Sequence, residues 1–533
     1  MLSLSSSERT KAQPVQPKVF VRESTGLVKN VSFFDSIAMN MSNMSVGALL
    51  ASIGISGLVP MFFAGQNMDG VNLVMLSVIA FVITIPQIVI YTMMSRRYPR
   101  SGGDYVYVSR NLGGPAGSIL SFMGYTCETT AYLALIVLST VFAIGSVGIF
   151  FYSSNTTLLG LAVPQGAGPS NSITQFLVGA VIFGFLIMVN IIKPKAGYKL
   201  VTIFTLFGIF ALLLAMGTLL SAGHTGVVNY INGLGIEGTT YQSLVSSASS
   251  TFFSWGPTIF LLPLMAAFVY PWLNAAPAVA SEIKGKTALK WNVPIAAVLV
   301  FVFLTSSIAV MYYVGGQQFI NAAYSSPTLV FDYSFNFWTL AMGVAGNNLL
   351  AAVIGIGWIV ANMSVLAYGV IVISRYLLAQ SFDRFLPARL SNVSSRFGSP
   401  IFAHSVDLIL TLGLVGLAAA YYTGGADSLF GAIIASMVYF IFVGLAAAVH
   451  GAKKEKGGTQ ALLMGAGILN MFVFGFLSYE FLAYPSTWAL NTMTAYFVIG
   501  SVIAGALLYF GSKWWYGKKG IDISLAYREI PPE

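Results

Sequence analysis

Ser254 to Lys284 reads SWGPTIFLLPLMAAFVYPWLNAAPAVASEIK. The segment is apolar enough to cross a bilayer, yet Pro257, Pro263, Pro271 and Pro277 interrupt it, each removing a backbone donor and clashing with the preceding turn. A helix broken at mid-membrane exposes peptide groups, and each unpaired N–H or C=O in hydrocarbon costs several kcal/mol. A break at Phe268-Val269-Tyr270-Pro271 therefore persists only where protein buries it or where it lines a polar cavity. Discontinuous spans of this kind mark transporter binding sites; a proline kink packed against its neighbours is the plainer alternative.

A second interrupted span begins at Asp35, DSIAMNMSNMSVGALLASIGISGLVP, unusually rich in Ser, Asn and Gly for a lipid-crossing helix. Ser42, Asn43, Ser45 and Gly47 cluster halfway along, and glycine lowers the cost of leaving helical geometry there. The same small residues also suit a tight interhelical seam. The chain is 56% hydrophobic and 8% charged with a mean hydropathy of +0.80, leaving too few charges to cover a soluble globule. Twelve stretches reach the roughly 20 residues that ~30 Å of hydrocarbon requires. They run from 35–62 through 71–95, 115–151, 173–192, 197–222, 253–280, 293–315, 346–381, 402–423, 428–450 and 460–484 to 491–513. The expected class is an all-α polytopic membrane protein with 12 transmembrane helices.

None of the 26 lysines and arginines falls in an outer loop, which carry Asp69, Glu237, Asp332 and Asp427 instead. Cations retained inside set orientation, so both termini are expected in the cytoplasm and the chain in the plasma membrane. The first thirty residues carry Arg9, Lys11, Lys18, Arg22 and Lys29 without an apolar core, unlike a cleaved signal peptide. The net charge of +9 reflects this topology and attraction to anionic lipid, with no reason to expect nucleic acid. The lone Cys127 excludes a disulfide framework. Gly233-Leu234-Gly235-Ile236-Glu237-Gly238 matches a dinucleotide pattern but sits in an outer loop without the flanking strand and helix. His224, His404 and His450 are too far apart to suggest a metal cluster.

Between the second and third spans comes Tyr98–Gly114, YPRSGGDYVYVSRNLGG, and the eighth span leaves through SRYLLAQSFDRFLP, Ser374–Pro387. With Ser281-Glu282-Ile283-Lys284, these elements resemble the signatures of amino acid permeases of the amino acid–polyamine–organocation superfamily. The resemblance is carried by Pro99, Gly102, Gly103, Tyr105, Glu282, Lys284, Arg375, Asp383 and Pro387. It implies a five-plus-five inverted-repeat fold plus two C-terminal helices. The divisions are an N-tail over 1–34, a first repeat over 35–222, an outer loop over 223–252, a second repeat over 253–450, two spans over 451–516 and a C-tail over 517–533.

The resemblance also implies secondary active transport by alternating access, with an amino acid held between the broken first and sixth spans, as symport with a proton or sodium ion and no other cofactor. The family's first break falls on Val46-Gly47-Ala48, beside Ser45, and its second on Phe268-Val269-Tyr270, after Ala266 and Ala267. Half-helix N–H groups suit a carboxylate and half-helix carbonyls an ammonium. Tyr270 stands where the family has glycine, adding bulk. Glu128, in CETTAYL, falls at the level of the site, where a carboxyl either carries a coupling proton, pairs with a cationic substrate, or hydrogen-bonds to Ser or Thr. The fifth span has no lysine from Leu200 to Ala222, which disfavours a fixed cation there. Asn362 and Ser364 are candidate sodium ligands, although a transmembrane serine more often bonds its own backbone. A polyamine exchanger of the same fold, a channel, and a non-transporting sensor are the competing functions; one mid-membrane carboxylate does not furnish an intramembrane enzyme.

Overall fold

The computed structural model describes residues 26–52, 68–162, 169–420 and 425–528. Arg9, Lys11, Lys18, Arg22 and the outer end of the first span, 53–62, lie outside them. Among the described residues all regular structure is helical apart from two isolated bridges. Among the described residues ten helices are long and apolar enough to cross a membrane. Seven segments matter below besides the two interrupted spans. They are α3 (Leu73–Arg97), α4 (Gly103–Leu112), α5 (Gly114–Ser121) with the π-helical turn Phe122–Cys127 leading into α6 (Glu128–Phe151), α7 (Pro169–Ile192) and α8 (Pro194–Gly233).

The first interrupted span starts on α1 (Phe33–Asn43), where Ser32 and Asp35 form a capping box that satisfies orphan amides at the helix start. Met44 and Ser45 leave the helix, Ser45 at φ 44°, and α2 (Val46–Ser52) follows. The break thus precedes Val46-Gly47-Ala48, which form the first turn of α2. A left-handed residue other than glycine costs roughly 1–2 kcal/mol. The Ser45 hydroxyl repays part of it by sharing a 3.0 Å hydrogen bond with Tyr132.

The second interrupted span consists of α9 (Trp255–Phe260), α10 (Pro263–Ala266), an unwound stretch through Asn274, and α11 (Ala275–Ala278). Pro263 opens α10, where its missing N–H is no loss, and Pro271 lies in the unwound part. The remaining labelled helices are α12 (Lys286–Gly315), α13 (Asn348–Phe382), α14 (Ile401–Ala420), α15 (Ile434–Lys454), α16 (Gly457–Ala483) and α17 (Thr492–Gly517). The stretch expected as an outer loop, 223–252, is largely helical: α8 kinks at Gly223 and continues to Gly233, and another short helix covers Tyr241–Ser247.

The interrupted segments and the basic connections meet at one end of the bundle. Val31 N–H donates to the Glu282 carbonyl (3.0 Å) and Lys284 N–H to the Val31 carbonyl (2.9 Å), so the chain before α1 lies along the exit of the second interrupted span. Gly102 N–H donates to the Ala278 carbonyl (2.9 Å). Gly102 and Gly103 both have positive φ, and a Cβ on Gly102 would sit 2.5 Å from that of Ala379, so the SGG element is built of glycine for backbone conformation and for close approach. At the same end Arg97 bonds Glu455 (2.6 Å), which holds that carboxyl below the usual carboxylate range.

Candidate functional site

The two interruptions face each other across a cavity of about 50 Å³, walled by Ser45, Ala48, Leu49, Tyr132, Phe268 and Phe430. Phe268 stacks on Phe430 (centroids 4.1 Å apart) and Tyr132 on Trp272 (5.7 Å). Three aromatic rings, Tyr132, Phe268 and Phe430, therefore form part of the cavity wall. Of the residues expected from sequence, Ser45, Ala48 and Phe268 reach this cavity. Val46 and Gly47 line a neighbouring cavity of about 50 Å³. Ala266, Ala267 and Val269 are buried alongside, but the Ala267 carbonyl accepts from the Trp272 indole (3.0 Å) and the Val269 carbonyl from the Trp272 amide (3.4 Å). The Ala267 and Val269 carbonyls thus already have donors within the chain.

Tyr270 adds no bulk to the site. Its hydroxyl shares a 2.6 Å hydrogen bond with Ser77 of α3, and its ring meets Phe81 edge-on, which turns the side chain away from the cavity. Gly47 owes its identity to packing: a Cβ there would stand 2.5 Å from that of Ala361 on α13, and its carbonyl accepts from the Trp338 indole (2.9 Å). Gly47→Ala is therefore expected to destabilise the protein by about 1–3 kcal/mol through overpacking. Ala361→Gly in the same chain should recover most of that loss. Thermal unfolding of the purified single and double variants reads both numbers, and a Gly47→Ala protein as stable as the parent would show that the seam yields.

Asn362 and Ser364 do not converge. Residues two apart on a helix face opposite sides. The Asn362 amide donates to the Ser139 carbonyl on α6 (3.3 Å), whereas Ser364 donates back to the Ala361 carbonyl (2.8 Å) and faces the cavity behind Gly47. That cavity also gathers the hydroxyls of Ser42 and Thr205, 2.7 Å apart, and of Ser45.

Glu128 is buried at the start of α6, where the π-helical turn ends. Insertions of this kind frequently mark functional positions. The Thr129 hydroxyl donates to its carboxyl at 3.3 Å. Glu128 lies one turn before Tyr132 on the same helix face, and of the two it is Tyr132 that lines the cavity.

Below the cavity runs a chain of buried polar groups that sequence inspection missed. Tyr368 donates to the Asn43 side-chain carbonyl, Asn43 to that of Asn274 (2.9 Å), and Asn274 to Asp104 (3.1 Å). Asp104 also accepts from Tyr91 (2.5 Å), Tyr439 (3.1 Å) and Tyr376. The chain links both interruptions to α3, α4, α13 and α15. Amides inside apolar spans were the available signal, since a buried amide requires a partner.

Two buried ion pairs sit at the basic end of the bundle. Arg375 donates to both Glu282 oxygens (2.8 and 3.0 Å), and Tyr198 donates to the same carboxylate (2.8 Å). Arg110 grips Asp383 in the same two-pronged way (2.5 and 2.8 Å), with Tyr105 donating at 2.7 Å. Ser381 donates to the Pro387 carbonyl (2.6 Å), fixing the exit of α13. At the far end, a separate cavity of about 320 Å³ is lined by Asp69, Ser249, Asn321 and Ser325.

A multi-pass membrane protein whose interrupted helices meet at a small cavity, with two buried ion pairs at the basic end, has the build of a permease. The sequence agrees: the family model for amino acid permeases matches residues 31–516, and the chain belongs to that family. That family is one of permeases of the amino acid–polyamine–organocation type, and the ten apolar helices among the described residues fit a membrane environment. Over 87 residues it is also 30% identical to uncharacterized protein 399 of Sulfolobus islandicus rod-shaped virus 1, a match covering 16% of this chain and 20% of the viral protein. The chain thus spans about a fifth of the length of that curated relative.

Proposed function

We propose that this protein is a secondary transporter of small amino acids, working by alternating access across the plasma membrane with both termini on the cytoplasmic side. The ten continuous spans together with the two interrupted ones form twelve crossings, arranged as two inverted halves of five followed by α16 and α17. The observation that carries the reading is the cavity between the interruptions, lined by Ser45, Tyr132, Phe268 and Phe430, with the Asp104 chain and the two ion pairs tying the surrounding helices together. A channel would need an open path there. The substrate carboxylate is received at the start of α2 and Ser45, and the ammonium at the backbone near Phe268. A cavity of about 50 Å³ favours small side chains.

Coupling is assigned to a proton on Glu128, because α8 offers no lysine from Leu200 to Ala222 and the Asn362 and Ser364 side chains turn to different partners. A polyamine or cationic amino acid exchanger is the second reading, and Glu128 is the observation favouring it. Flux of labelled alanine, arginine and putrescine into proteoliposomes separates the readings: alanine uptake driven by an inward proton gradient is expected. Uptake confined to arginine or putrescine would select the second reading, and binding without flux would make the protein a sensor.

A further inference from the structure

On the outer face of the bundle lies an apolar groove of about 450 Å³ between the π-helical turn, α13, α14 and α17, with Phe122, Cys127, Leu377, Leu390, Leu410 and Phe497 among its walls. We propose that this groove is a binding site for one acyl chain of an anionic phospholipid. Three observations select that occupant. The lining runs from Leu386 and Leu390, past the end of α13, along about 16 Å of α14 from Val406 to Leu417, an elongated strip of apolar side chains along which an acyl chain can lie. Ile409 and Leu417 are 70% and 59% exposed on transmembrane helix, an environment that only lipid or another protein satisfies. Arg389, exposed and adjacent in sequence to the lining Leu390, places a cation at the basic end of the groove, matching an anionic headgroup.

The site touches the transport machinery from behind. Phe122, Thr126 and Cys127 belong to the turn that leads into Glu128, and Tyr125 of that turn stacks on Tyr376 (3.7 Å), a donor to Asp104. A chain seated in the groove therefore supports the turn that positions Glu128 and the Asp104 cluster.

Gly413 supplies the test. It lies in the groove wall, and a Cβ built on it meets no atom within 4 Å, so Gly413→Trp fills the groove without backbone strain. Native mass spectrometry of protein released from nanodiscs of phosphatidylglycerol or phosphatidylcholine should show one retained phospholipid on the parent, with phosphatidylglycerol preferred, and loss of that adduct in Gly413→Trp. Equal lipid retention by parent and variant would overturn the site. Equal retention of the two lipids would overturn the headgroup assignment. A dimer mass in the parent that the variant loses would assign the groove to a second copy instead. Should Gly413→Trp fail to fold, the parent alone suffices, because Cys127 is its only cysteine and lines the groove. Phosphatidylglycerol at ten times its Kd should slow maleimide alkylation of delipidated protein about tenfold, and an unchanged rate would overturn the proposal.

Discussion

Arg375→Met is expected to destabilise the purified protein by roughly 3–5 kcal/mol, because it strands the Glu282 carboxylate among apolar neighbours with only the Tyr198 hydroxyl for company. Both partners of the pair are 2% exposed, so water cannot replace the lost guanidinium. The double variant Arg375→Met/Glu282→Leu removes both charges and should regain most of the stability, since a desolvated pair contributes little net energy over an apolar replacement of similar volume. Its transport should nonetheless suffer, because the pair ties α13 to the exit of the second interrupted span. Unfolding measurements together with proteoliposome flux check this. A single variant as stable as the parent would mean that water reaches the pair.

Glu128→Gln is the second large effect, and it falls on transport rather than on stability. Glutamine keeps the shape and can still accept from Thr129, so unfolding should shift by less than about 1 kcal/mol. If Glu128 carries the coupling proton, uptake by the parent changes by up to about tenfold per pH unit on its titrating limb. The variant's uptake should then be flat across that range while exchange of internal for external amino acid persists. If Glu128 instead pairs with a cationic substrate, the variant should lose arginine and putrescine selectively, since a neutral amide forfeits the charge-assisted bond. A variant with the parent's pH profile and selectivity would leave Glu128 as a hydrogen-bonding group of the π-helical turn.

The proline-interrupted segment at 254–284 was legible because proline acts locally: the unwound stretch from 267 to 274 contains Pro271, although the helix before it already ends at Ala266. The first break was located only to within two residues, since nothing in MSNMSVG marks Ser45 as left-handed until Tyr132, 87 positions away, is beside it. Gly47 was seen as a place of close approach, but the partner at that approach, Ala361, belongs to a helix some three hundred residues later. Tyr270 misled in the same way. Its bulk was visible and its direction was not, because that direction is set by Ser77 and Phe81. Asp104 was hidden inside a motif whose glycines drew attention. Its three tyrosines and one asparagine come from four separate elements, and no local spacing encodes such a cluster.

Hydrogen bonds join the first interrupted span to the second at three levels: Val31 with Glu282 and Lys284, the Asn40 side chain with the Ala276 amide (2.9 Å), and Asn43 with Asn274. The two strips of chain run side by side like the rails of a ladder. Rungs at three heights resist both sliding and splaying, so α1 and the 274–284 stretch behave mechanically as one lever. Its free play lies at Met44–Ser45 and at the unwound backbone before Asn274, the two places where helical stiffness is absent. A load applied at the basic end, by a tail or by a lipid surface, is thus carried along both strips together toward Ser45 and Phe268 at the cavity.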